Sequence, residues 1–211
     1  MTAQEIYDFI KNNYSSVETT ICYLHQPRPH VACCLDAQFK CSNPSQTKVL
    51  NFDQVTSEYC ESLGKSVCSS TDALSYKDNY LLFVEIKGWR QFINYALNNT
   101  FDKDKIEGQE NKYDLNKKIE ESISTCENII APHDMLADDK IIYILIIDIN
   151  IKQQEAKVQL LQNLNLLAYD SSSIYKKIDD VTSSHLQESV KRPIRKMRVY
   201  CQNFDGVYAG I

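Results

Sequence analysis

Apolar residues Ile6, Phe9 and Ile10 recur at i, i+3 and i+4, which predicts a helix over residues 3–14. Thr19–Leu24 reads as a strand, and residues 25–48, with Pro27, Pro29 and Pro44, as irregular chain. Phe52, Val55, Tyr59 and Leu63 then line one side of a helix, with Gly64 placed to cap it. Two strands follow, roughly 71–76 and 80–87, joined through Lys77-Asp78-Asn79. Asp and Asn suit such a tight turn because both tolerate left-handed backbone angles. Trp89, Phe92, Ile93, Ala96 and Leu97 predict a helix over 89–98, and the charged residues 99–112 a loop. Leu115, Ile119, Ile123, Cys126 and Ile130 form the stripe of a helix over 113–130.

The segment Ile141–Ile149 is apolar and rich in β-branched residues, the pattern of a central strand covered on both faces. Gln153–Leu167 and residues 170–190 read as helices, and Arg198–Cys201 as a last strand. This order predicts an α/β fold, with a mixed central sheet flanked by helices on both faces.

A length of 211 residues suits one domain with a substantial core. The centre of that domain is expected over about 50–150, between an N-terminal helix and irregular segment at 1–49 and a C-terminal extension at 151–211. Five glycines and five prolines are too few for a repeat or low-complexity protein. The formal charge of −5 argues against nucleic-acid binding through overall charge, and leaves room for a locally basic or metal-loaded cleft. The first residues lack the basic start and apolar centre of a signal peptide. The strongly apolar run Ile141–Ile147 is too short to span a bilayer. We therefore expect a cytoplasmic chain without membrane contact, whose eight cysteines are reduced thiols.

Chemistry concentrates at the predicted hairpin. If Lys77 pairs with Tyr80, the register sets Asp72 opposite Glu85, and cross-strand partners project to one face. Lys87, two residues beyond Glu85, shares that face. Two adjacent carboxylates repel unless a cation lies between them. Oxygen ligands of this kind suit Mg²⁺ or Mn²⁺, and a nearby lysine can orient a water and hold charge on a phosphate. The bland alternative is a solvated hairpin end with a surface salt bridge, since Glu-x-Lys is a common tripeptide.

The stretch "TDALSYKDNYLLFVEIKG" resembles the core motif of the PD-(D/E)XK nuclease superfamily: an acid, a hairpin, then Glu-x-Lys at a strand end. Asp72 matches the first acid, Glu85 the second and Lys87 the lysine, while Thr71 stands where a proline is usual. The resemblance implies a restriction-endonuclease-like core over about 50–150, with Phe52–Leu63 as its first helix and the strand at 141–149 completing it. Glu58 or Glu61 would match a further metal-site glutamate. Gln91 and Tyr95 are similar to a Q-x-x-x-Y element that lies further downstream in some of these nucleases. The implied activity is phosphodiester hydrolysis of nucleic acid, DNA foremost, with Mg²⁺ or Mn²⁺. Two alternatives stay open. One is a non-catalytic module of this fold in a larger nucleic-acid-processing or defence assembly, with a protein partner or a second copy. The other is an interaction protein whose Glu-x-Lys is accidental.

Other constellations say less. Cys22, His25, His30, Cys33, Cys34 and Cys41 lie close in sequence, but only Cys22-x-x-His25 has a spacing suited to zinc, so no zinc site is expected. No local signature supports a cysteine nucleophile assisted by His25, His30, His133 or His185. Neither a Walker A nor a G-x-G-x-x-G motif is present. The segment "KRPIRKMR" offers Lys191, Arg192 and Arg195, with Lys196 and Arg198, as phosphate-backbone contacts or as a solvated basic face.

Overall fold

The computed structural model describes residues 1–24, 44–89, 103–148 and 169–211, without the side chains of Lys103 and residues 169–175. Helix α1 (Ala3–Asn13) begins at a capping box: the Thr2 hydroxyl accepts from the Glu5 N–H, and the Glu5 carboxylate accepts from the Thr2 N–H. Strand β1 (Glu18–Thr20) runs into a single helical turn, α2 (Ile21–Leu24). Strand β2 (Lys48–Asn51) leads into α3 (Phe52–Ser62), where the Asn51 side chain caps the Gln54 N–H. The hairpin β3 (Ala73–Lys77) and β4 (Tyr80–Lys87) follows, then α4 (Lys103–Glu110), α5 (Leu115–Ile130), β5 (Ile141–Ile147), α6 (Tyr169–Ser189), β6 (Arg195–Tyr200) and α7 (Phe204–Ala209).

Among the described residues, six strands form one open sheet in the order β1-β2-β3-β4-β5-β6. Strands β1 to β4 pair antiparallel, whereas β4, β5 and β6 are parallel. Parallel strands need long crossovers, and both parallel pairs here are joined through helical segments. Side-chain alternation sorts the apolar residues into two layers. Leu74, Leu81, Phe83, Ile141, Tyr143 and Leu145 pack with α1, α3 and α5. Ala73, Leu82, Val84, Ile86, Ile142, Ile144 and Ile146 pack on the other face with Ile21 and Phe204. The chain is thus α/β, with a mixed sheet and helical residues on both faces. A third cluster, Trp89, Ile106, Ile147, Ile178 and Val181, closes the C-terminal end of the parallel strands. Among the described residues no helix is long and apolar enough to cross a membrane.

Several elements differ from the sequence expectation. Only three residues of the segment around Thr19–Leu24 pair as a strand with β2, and Ile21 then turns into α2 to bury its side chain. Strand β2 forms where the sequence pattern predicts no element. Four residues carry too little periodicity to show a strand, and this one exists through pairing on both its edges. Within the charged stretch expected as a loop, residues 103–110 form α4, anchored by the single buried apolar residue Ile106. Half of "KRPIRKMR" is strand β6, which begins at Arg195 rather than Arg198 because it pairs with the apolar β5. β5 stops at Ile147, and the buried Asp148 turns its carboxylate to the Trp89 N–H at 2.6 Å. Helix α7 has no counterpart in the sequence expectation. The helices expected over 153–167 and, beyond Trp89, over 89–98 lie outside the described residues.

Candidate functional site

The hairpin turns at Asp78, whose φ of 51° lies in the left-handed region. Lys77 pairs with Tyr80 and Ala73 with Val84, so Asp72, one residue before β3, continues the register opposite Glu85. The approach to Asp72 is pinned from two sides. Helix α5 holds it through Glu121, which accepts from the Ser69 N–H at 2.6 Å, and through the Ser122 hydroxyl, which accepts from the Thr71 N–H at 2.8 Å. The Phe52 N–H that opens α3 donates to the Asp72 carbonyl at 3.0 Å. The Asp72 carboxylate itself accepts from the Ile86 N–H.

Glu85 is fully buried on the face shared with Phe83 and Tyr143. One carboxylate oxygen, Oε1, takes Lys87 and, at 2.8 Å, Lys118 from α5. The other, Oε2, is enclosed and has no hydrogen-bond partner. Lys87 also stands 4.5 Å from the centre of the Tyr113 ring, a cation–π contact. Burial pushes the Asp72 carboxyl up to about 7, and the charge of Glu85 adds to the rise; Lys118, the Ile86 N–H and Lys87 pull the other way. Burial works against the Lys118 ammonium, yet Glu85, Asp72 and Asp53 outweigh it and hold the group above its ordinary value. The site is therefore two acids against two lysines, with one acid, Asp72, titrating near physiological pH.

Two further groups stand behind this cluster. Glu110, at the end of α4, is fully buried with neither carboxylate oxygen bonded, and burial pushes it up to about 7 against the pull of Lys87. The Tyr143 hydroxyl is buried without a partner; burial raises it well above the usual phenol range, and the charges of Glu85, Asp72 and Glu110 add to that.

The structure thus brings Asp72, Glu85 and Lys87 together. Glu58 is engaged elsewhere, accepting from the Ser15 N–H at 2.9 Å and the Gln54 amide at 3.0 Å, and Glu61 is exposed in the last turn of α3. The acid of α3 that acts on the cluster is Asp53, which also accepts from the Ser70 hydroxyl. Among the described residues no three His, Cys, Asp or Glu side chains converge closely enough to hold a metal ion. Gln91 and Tyr95 lie outside the described residues, as do His25, His30, Cys33, Cys34 and Cys41. Cys22 is buried, and its sulfur accepts from the Ser45 N–H at 3.3 Å.

The basic segment divides. Arg192 clamps Asp138 at 2.6 Å, Glu120 at 3.3 Å and Glu127 at 4.0 Å. Lys196 closes the end of α6 by donating to the carbonyls of Val190 and Gln187. Arg198 pairs with Asp179. Lys191 and Arg195 keep exposed side chains, the Lys191 ammonium donating to the Glu188 carbonyl. Sequence reasoning missed Lys118. Its signal was a polar line along α5, since Lys118, Ser122 and Thr125 fall at i, i+4 and i+7 beside the apolar stripe, and Ser122 and Thr125 are buried.

Comparison of the chain with protein-family models, with curated proteins and with solved structures returns no match.

Proposed function

We propose that this chain is a divalent-metal-dependent nuclease with a PD-(D/E)XK-like site that hydrolyses phosphodiester bonds of nucleic acid, DNA foremost. The observation that carries the reading is Asp72 standing opposite Glu85 in the hairpin register, with Glu85 Oε2 buried and unbonded and Lys87 on the other oxygen. A buried anionic oxygen without a donor is costly, and a hard cation would satisfy it. Mg²⁺ is commonly held by one or two carboxylates with water and substrate phosphate filling its other positions, so a two-acid set suffices. Asp72 and Glu85 would hold the ion. When bound, it supplies charge neutralisation and a water of lowered pKa.

The chain's own groups do the remainder. Glu85 holds Lys87 and Lys118 side by side. With a cation on the two acids, Lys87 would orient the attacking water and Lys118 would hold charge on the phosphate. The Ile86 N–H fixes the Asp72 carboxylate. Lys191 and Arg195 are the exposed cations of the basic segment that would meet a phosphate backbone, and Arg192 serves as a clamp.

The test is cleavage of single- and double-stranded DNA and RNA with and without Mg²⁺ or Mn²⁺, by wild type, Asp72→Asn and Lys87→Ala. Asp72→Asn is the informative variant. Burial and the Glu85 charge already oppose ionisation of Asp72, and an amide oxygen can still accept from Ile86. Its stability at pH 8 should equal or exceed that of wild type. Metal-dependent turnover should fall at least about 100-fold in both variants. Unchanged cleavage in both would sink the assignment.

One observation favours a second reading, a non-catalytic module of this kind. Two lysines already neutralise Glu85, and such a cluster can serve to fix β4 against α5. That reading predicts no cleavage and no divalent-metal binding by wild type, and a loss of stability in Lys118→Met.

A further inference from the structure

Helix α3 ends in a reversal. Gly64, at φ +63°, adopts the left-handed backbone that suits glycine, its N–H donates to the Glu61 carbonyl at 2.9 Å, and the Lys65 N–H donates to the Cys60 carbonyl at 2.9 Å. The chain therefore doubles back over the last turn of the helix it has just left. Eight residues after Cys60 it brings Cys68 to the same place, with the two sulfurs 3.1 Å apart. Both are free thiols. A disulfide bond is about 2.05 Å long, so the sulfurs need to move by about 1 Å to bond, less than the play of two χ1 rotations.

We propose that Cys60 and Cys68 form a disulfide site, oxidised by exchange with a low-molecular-weight disulfide such as oxidised glutathione. The geometry assigns the order of events. Cys60 is 1% exposed, whereas Cys68 is half-buried, so an incoming disulfide meets Cys68 first. The Cys68 thiol gives up its proton, and the thiolate attacks one sulfur of the small disulfide. That S–S bond breaks and one glutathione thiolate leaves, taking a proton from water. The Cys60 thiol then loses its proton and attacks the Cys68 sulfur of the mixed disulfide, releasing the second glutathione thiol. Two protein thiols are oxidised by two electrons, and one small disulfide is reduced to two thiols.

The bond would staple the exposed stretch of residues 61–67 to α3. This stretch leads directly into Ser69–Asp72, which α5 and α3 pin through Glu121, Ser122 and Asp53. Closure of a short loop removes freedom from the unfolded chain, and at this loop length it should raise the unfolding temperature by about 5 °C. The site is independent of the proposed nuclease activity and stands or falls without it.

The sequence offers a clean readout. Lys65 is exposed and lies between the two cysteines. Trypsin cleaving after Lys48, Lys65 and Lys77 gives peptide 49–65, whose one cysteine is Cys60, and peptide 66–77, whose one cysteine is Cys68. The full chain is equilibrated in glutathione buffers of graded oxidised-to-reduced ratio, alkylated in acid-quenched form and mapped without reduction. The expected product is 49–65 joined to 66–77, growing with the ratio and lost on adding dithiothreitol. Cys68→Ser should abolish it and should remove the rise in unfolding temperature between reduced and oxidised buffers. Complete alkylation of both peptides in the most oxidising buffer would overturn the proposal. So would a glutathione adduct that persists on Cys68, or either cysteine joined to a different one.

Discussion

Glu110 is fully buried, and burial opposes its ionisation more than Lys87 favours it. For a carboxyl raised above its unfolded-state value, the native state binds more protons between the two values. Stability is then present below about pH 4.3, the ordinary Glu value, and is lost as pH rises to about 7. Glu110→Gln removes that contribution. Urea midpoints measured from pH 4.5 to 7.5 should therefore fall less steeply in the variant than in wild type, and equal slopes would remove Glu110 from this role. Lys118 and Glu85 show the opposite arrangement, since each buried charge there has a partner. Of the residues at this site, Asp72, Glu85 and Lys87 were legible from turn arithmetic alone. Lys118, Asp53 and Glu110 were not, because each comes from a helix whose docking is set by long-range packing.

At the scale of elements, the C-terminal helix α7 is tied to the approach to β2 by one side chain. Asp205 accepts from the Ser45 hydroxyl, the Gln46 N–H at 2.7 Å, and the Thr47 N–H and hydroxyl at 3.2 and 2.7 Å. Burial raises its carboxyl, but these bonds outweigh burial and hold it below the ordinary aspartate value. A depressed carboxyl contributes stability above its unfolded pKa, near 3.9, and loses it as pH falls through the folded value. Asp205→Ala should cost about 1–2 kcal/mol at pH 7, the lower end reflecting solvent access to the carboxylate, and much less at pH 3. Chemical denaturation at the two pH values checks this, and a pH-independent loss would contradict it. The α3–β3 connection shows why boundaries are harder to read than elements. Gly64 marks the stop in sequence, but the meeting of Cys60 with Cys68 follows from the reversal's geometry.

For the whole molecule, β5 is the axis. All seven of its residues are buried, with Tyr143 and Leu145 in one layer and Ile142, Ile144 and Ile146 in the other. Ile144→Ala should cost about 3–4 kcal/mol and Ile144→Val about 1 kcal/mol, measured as shifts in urea unfolding free energy. Amide exchange should be slowest in β4 and β5, which are paired on both sides and buried along most or all of their length, and fastest in the three-residue edge strand β1. Exchange in β5 as fast as in β1 would show that the sheet opens from its centre.

The sequence by itself determined α1, α3, α5, α6, the hairpin, the two-sided strand β5 and the presence of a last strand. It also determined the hairpin register, because a two-residue turn leaves one pairing and that pairing carries Asp72 to Glu85. Only the tertiary structure decided the rest. β2 is a strand and β6 starts already at Arg195 because neighbouring strands offer edges to pair with, and α4 is a helix around a single buried isoleucine. Arg192 became a clamp and Lys118 a partner of Glu85 because the surfaces that meet them come from distant stretches of the chain. Local patterns encode which face of an element is apolar. Which charge ends beside which is fixed when those faces pack, and a buried charge then has to be answered by whatever group the packing delivers.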